Sequence, residues 1–182
     1  MGDVDLAKGM KIIAVLSVLL TAIFTVAFQI SSQDLFYTIA ITAGTISYHF
    51  LMRLSVGGVY NFLLKNKVDY NRKWFRVGAM EQRIYKGLNV KKWKKHLPTY
   101  DPSAFDIKQH TWNEIAGAMC QAELVHETIA VFSFLPMIAS NWFGATLVFA
   151  LTSVFSALFD LSFAMMQRYN RPRVLKLIRH GD

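Results

Sequence analysis

An all-α membrane protein with four transmembrane helices is the fold class this sequence predicts, and three observations predict it. Charge is segregated: residues 12–30 and 128–159 carry none, residues 35–64 carry only Arg53, and residues 65–113 hold twelve of the 20 Lys and Arg. The uncharged runs are long enough to matter, since at ~1.5 Å rise per residue ~20 residues cross a ~30 Å hydrocarbon core. The chain is also 53% hydrophobic while carrying 20 basic against 12 acidic residues. A soluble basic protein would spread those charges along its length. Alternating blocks indicate a multi-span membrane protein rather than a nucleic-acid binder.

The first span is predicted at about residues 10–30. It follows the acidic residues Asp3 and Asp5, is longer than a signal-peptide core and lacks a small-residue cleavage site, so it reads as a retained span. The second, about 36–64, exceeds the length needed and is expected to tilt or extend into the interface. The third, about 115–140, is entered through Glu114 to His126. The fourth, about 143–169, ends in Gln167-Arg168-Tyr169-Asn170-Arg171-Pro172-Arg173, where Pro172 is expected to break or turn the helix. The short connections near 31–35 and 140–142 contain no Lys or Arg, whereas the 65–113 loop and the tail after Gln167 contain seventeen. The positive-inside rule then places both termini and the long loop in the cytoplasm. The whole chain, 1–182, reads as one integral-membrane domain.

The 65–113 loop interleaves Trp74, Phe75, Ile84, Tyr85, Leu88, Val90, Trp93 and Leu97 with nine of its basic residues. That mixture suits short amphipathic helices lying in the headgroup layer, near anionic lipid. Nucleic-acid stacking uses the same residue types, but not usually between two membrane spans.

Ionisable residues inside spans are costly and mark function by default. On a helix, Cys120, Glu123 and Glu127 share one stripe, and His126 lies beside Glu123. A carboxylate that fixes an imidazole's tautomer leaves the other nitrogen free to take a substrate proton. The plainer alternative is a helix start at the interface, where acids favour the positive helix end. Glu-x-x-His also occurs in di-metal bundles, but a second copy is required and none is present; His110 and Glu114 supply at most one further pair. No metal site is expected, and Cys120, the only cysteine, excludes a multi-thiolate one. His49 and Arg53, four residues apart on the second span, and Asp160, the only acid in the fourth, read as a buried Asp–Arg or Asp–His pair joining helices. The basic tail obeys the positive-inside rule, yet its arginine forks also suit phosphate or carboxylate headgroups.

Lys91-Lys92-Trp93-Lys94, Ala122-Glu123-Leu124-Val125-His126 and the Gln167 to Arg173 run, in that order and approximate spacing, resemble the bacterial glycosyl-4,4′-diaponeurosporenoate acyltransferase family. The resemblance covers about Trp74 to His180. It implies a small integral-membrane enzyme that moves a fatty acyl group onto a sugar hydroxyl of a glycosylated carotenoid. Trp93, Glu123, His126, Arg168, Asn170 and Arg171 fall on the family pattern. Members carry a Glu five residues before the matched Glu and an Arg two before it, where this chain has Ala118 and Gln121, which leaves the acceptor open.

The expected function is acyl transfer from an activated thioester, acyl-CoA or acyl carrier protein, to a lipid-linked hydroxyl, with no resident cofactor. His126 is expected to be the base and Glu123 to orient it. Arg168, Asn170, Arg171, Arg173, Trp93 and Glu127 are expected to hold donor or acceptor. The competing readings are a non-catalytic lipid-binding or transport-accessory protein and a metal-dependent membrane enzyme.

Overall fold

The computed structural model of the protein describes residues 6–181, and every regular element among them is helical. Helices α1 (Leu6–Ser31) and α2 (Asp34–Leu64) are joined by a two-residue turn in which Ser32 takes a left-handed φ of 53°. The long connection holds α3 (Ala79–Gly87), α4 (Val90–Trp93) and 3₁₀ turns at Lys73–Phe75, Lys94–His96 and Pro102–Phe105. Helices α5 (Trp112–Phe132), α6 (Pro136–Phe143) and α7 (Thr146–Gly181) complete the chain. Four stretches are long and apolar enough to cross a membrane: Leu6–Ser31, Asp34–Leu64, Trp112–Phe143 and Thr146–His180. The predicted fold class is therefore observed.

One predicted element is subdivided and another needs correction. The third span is not one helix, because the chain tightens to i→i−3 hydrogen bonds at Phe134 and Leu135 before α6 starts at Pro136. A proline has no N–H to give and fits the first helical turn, so α6 begins where α5 can no longer propagate. Nor does Pro172 end the fourth helix, which runs through it to Gly181. The missing N–H leaves the Arg168 carbonyl without its intrahelical donor. What holds the axis there is side-chain anchoring on either side, described below.

The chain forms two compact units. The first comprises Met1–Val56 and Ile129–Leu158. In it α1 buries only Ala14 and Ser17, leaving Ile12, Val15, Leu19 and Ile23 exposed. Such a surface is stable against lipid tails and not against water. The α1–α2 seam is made of small and hydroxyl residues: Thr21 Oγ1 lies 3.4 Å from Ser47 Oγ, and a Cβ on Gly44 would stand 3.5 Å from Thr21 Cγ2. Two α2 tyrosines donate to carbonyls at the C-terminal ends of α5 and α6. Tyr48 donates to the Phe132 carbonyl at 2.8 Å and Tyr37 to the Phe143 carbonyl at 3.1 Å. Arg53 donates to Ser156 Oγ at 2.7 Å, and that hydroxyl also bonds Ser133 Oγ at 2.8 Å.

The second unit comprises Gly57–Thr128 and Phe159–Asp182. Its core gathers Ile115, Ala116, Met119 and Cys120 of α5 with Phe163 and Ala164 of α7 and with Phe75, Tyr85 and Val90 of the connection. The aromatic set of the loop thus divides: those three turn inward, while Trp74, Ile84 and Leu88 stay exposed. Gly117 is where the connection lies directly on α5, since a Cβ there would stand 2.6 Å from the Asn66 carbonyl oxygen. Gln121 Oε1 accepts the Asn66 N–H at 2.7 Å, fixing a residue whose φ is 59°. Ala118 and Gln121, the two departures from the family pattern, are both buried.

Candidate active site: a His–Asp pair beside a buried ion network

All of the site lies in the second unit. Its centre is Glu123, which is fully buried one turn from Cys120 in the middle of α5. A lone carboxylate there would be costly. Both oxygens are taken by guanidinium groups from α7: Oε1 accepts from Arg168 Nη1 at 2.5 Å, and Oε2 accepts from Arg171 Nη1. Arg168 and Arg171 are three residues apart, so one face of α7 presents both.

The arginines do more than neutralise Glu123. Arg168 forms a two-bonded fork with Glu81 of α3, through Nε at 2.5 Å and Nη2 at 2.9 Å. Its Nη1 also donates to the Trp74 carbonyl at 3.1 Å and its Nη2 to the Arg76 carbonyl at 3.4 Å. Arg171 donates to the Phe75 carbonyl at 2.6 Å and lies over the Phe75 ring. Three successive carbonyls of the connection are thus held by two α7 side chains. Burial works to raise the Glu81 carboxyl, but hydrogen bonds from Arg168 and Tyr85 outweigh it and hold the group below the usual carboxylate range. The Tyr85 phenol is pushed well above its usual range by its own burial and by its bond to Glu81.

His126 is not paired with Glu123. Its Nδ1 lies 2.9 Å from Oδ1 of Asp160, a buried residue of α7, and its ring stacks on Phe163 at 4.7 Å. A carboxylate on Nδ1 fixes the proton there and leaves Nε2 as the basic nitrogen. The imidazole is part-buried, with about a fifth of its side chain exposed. Helical spacing set Glu123 beside His126, whereas the carboxylate that meets the ring comes from α7.

The remaining expected residues divide. Glu127 is half-buried and accepts from Trp74 Nε1 at 3.0 Å. Trp93 Nε1 donates to the Leu88 carbonyl at 3.0 Å, a bond within the connection. Asn170 Oδ1 accepts from Lys94 Nζ. Arg173 donates to the Tyr169 hydroxyl at 3.1 Å and lies over its ring. Arg168 and Arg171, expected to hold substrate, are instead occupied by Glu81, Glu123 and carbonyl oxygens. Asp160, Glu81 and Tyr85 were missed as site residues; the one available signal was that Asp160 is the single acid of its span.

A cavity of about 240 Å³ lies in the same unit, walled by Leu64, Val68, Trp74, Phe75 and Leu124. It does not include His126 or Asp160. Among the described residues no three His, Cys, Asp or Glu side chains are grouped as a metal ion would require. His110 and Glu114, 3.8 Å apart, form a pair, and Glu114 also accepts from Thr111 at its helix start.

These features define a class: a helical chain of membrane-length segments that combines a part-exposed His–Asp pair with a charge-neutral buried ion network. The model of the glycosyl-4,4′-diaponeurosporenoate acyltransferase family matches residues 71–180, which include every residue of that site, and the chain belongs to this family. By its name the family is one of acyltransferases. No curated protein and no solved structure matches the chain.

Proposed function

We propose that the protein moves a fatty acyl group from an activated thioester, acyl-CoA or acyl carrier protein, to a hydroxyl of a lipid-linked sugar such as a glycosylated carotenoid or related glycolipid. The observation that carries this reading is the His126–Asp160 pair, with Nδ1 held at 2.9 Å and Nε2 left to act. Nε2 takes the proton of the acceptor hydroxyl as its oxygen attacks the thioester carbonyl carbon. The tetrahedral intermediate then expels the thiolate, which receives that proton from the imidazolium, so the base is regenerated. Asp160 opposes the positive charge that His126 carries in between. Glu123 has a positioning part only, as the anion that holds Arg168 and Arg171 in place.

The segregation of basic residues supports a single integral-membrane domain in the cell membrane with both termini and the α2–α5 connection facing the cytoplasm, the side that holds soluble thioester donors. The test is lipid extracts from cells with and without the protein, compared by mass spectrometry. A product heavier by one fatty acyl group is expected with the native chain and not with His126→Gln, a loss on the order of 10²–10⁴-fold in rate. Full transfer by a well-folded His126→Gln protein would overturn the mechanism.

A further inference from the structure

The third arginine of the Gln167 to Arg173 run behaves unlike the first two. Arg168 and Arg171 are matched by carboxylates, whereas Arg173 meets no acid and shares the Tyr169 ring with a second cation, Lys94 of the 94–96 turn. Lys94 Nζ lies 4.7 Å and Arg173 Cζ 4.9 Å from that ring's centroid. Neither makes an ion pair among the described residues.

The four side chains offer donors and almost no acceptors. Asn170 gives its only acceptor oxygen to Lys94, which leaves the amide NH₂. Tyr169 accepts from Arg173, which leaves its hydroxyl proton. Lys94 and Arg173 can only donate. A sugar hydroxyl needs both a donor and an acceptor from its site, and a cation would be repelled. An acceptor-only, multiply charged group fits. Burial, then the charges of Arg173 and Lys91, hold the Lys94 ammonium below its usual range, a tension that a bound anion relieves.

We propose that Lys94, Tyr169, Asn170 and Arg173 form a binding site for a phosphate or diphosphate group, carried either by a soluble nucleotide-type ligand or by a lipid headgroup. The proposal concerns binding and stands whether or not the chain transfers acyl groups.

The experiment uses the full chain in phosphatidylcholine nanodiscs, titrated calorimetrically with coenzyme A and with inorganic pyrophosphate. In parallel, native mass spectrometry of detergent-solubilised protein counts retained phosphatidylglycerol. Lys94→Gln and Arg173→Gln are each expected to weaken whichever ligand binds by about tenfold. Lys176→Gln, an exposed cation of the same helix, should leave it unchanged. Binding of coenzyme A and pyrophosphate assigns the soluble source, and retention of phosphatidylglycerol alone assigns the headgroup; either supports the site. If Arg173→Gln fails to fold, Lys94→Gln carries the test, because it removes only one hydrogen bond and one cation–π contact from a short turn. A native protein that binds none of the three ligands, or variants that bind as the native protein does, would overturn the proposal.

Discussion

Each oxygen of Glu123 faces a different guanidinium, while His126, three residues on, faces a carboxylate 34 positions away. Helical spacing reports which side chains share a face, not which of them bond. A buried carboxylate is drawn to full positive charges before a neutral imidazole, and that preference is invisible until α7 is brought to α5. The consequence is a separable pair of predictions. Asp160→Asn should lower kcat on the order of 10²-fold or more, because the imidazolium loses its opposing charge. Glu123→Gln should act on folding instead. It leaves the buried Arg171 without a carboxylate and takes one of two from Arg168, at a cost of about 3–5 kcal/mol. The measurement is the yield of monodisperse detergent-extracted protein set beside specific acyl-transfer activity. If Glu123→Gln extracts as well as the native chain but is inactive, Glu123 belongs to the chemistry and the network reading fails.

The connection between α2 and α5 is attached to its unit by few and specific contacts. Helix α3 is tied to α7 through Glu81, and residues 66–68 rest on α5 at Gly117. The sequence showed that this segment is basic and aromatic, but not which of its aromatics turn inward, since Phe75 and Trp74 are adjacent and have opposite fates. Only the tertiary carbonyl contacts of Arg168 and Arg171 decide that. Because the folded Glu81 carboxyl titrates below its usual range, the stability it contributes is fully present above the ordinary carboxylate pKa. It is lost as pH falls through the lower, folded value. Acidification should therefore release α3 first, read as faster limited proteolysis between residues 79 and 87 at low pH than at pH 7. Glu81→Gln should show that faster cleavage already at pH 7, from the loss of about 2 kcal/mol of charge-assisted bonding. Equal cleavage of the variant and the native chain at pH 7 would remove Glu81 as the tie. Gly117→Ala should be harsher than a helix alanine ordinarily is. Its methyl meets a backbone oxygen at 2.6 Å that no side-chain rotation can move aside, and the expected readout is a lower midpoint of thermal aggregation in detergent.

Across the whole molecule, hydropathy carried the reading furthest. Span number and rough limits follow from the need to satisfy backbone groups within hydrocarbon, which leaves helices as the only open choice for such segments. The limit of the fourth span failed at Pro172, where a proline's effect depends on what else holds the axis. Orientation is a property on which the charge pattern alone bears. The turns after α1 and before α7 contain no Lys or Arg, whereas the α2–α5 connection and the end of α7 contain seventeen, and moving such clusters across a membrane is unfavourable. Ser32→Cys and Asn141→Cys, each at an exposed position, should therefore react with a membrane-impermeant maleimide added to intact cells. Lys94→Cys should react only after permeabilisation. The native background is low, because Cys120 is the only cysteine and is fully buried. Should Lys94→Cys label in intact cells while Ser32→Cys and Asn141→Cys do not, the termini lie outside, and the proposed cytoplasmic thioester donor can no longer reach His126 from the side that the connection occupies.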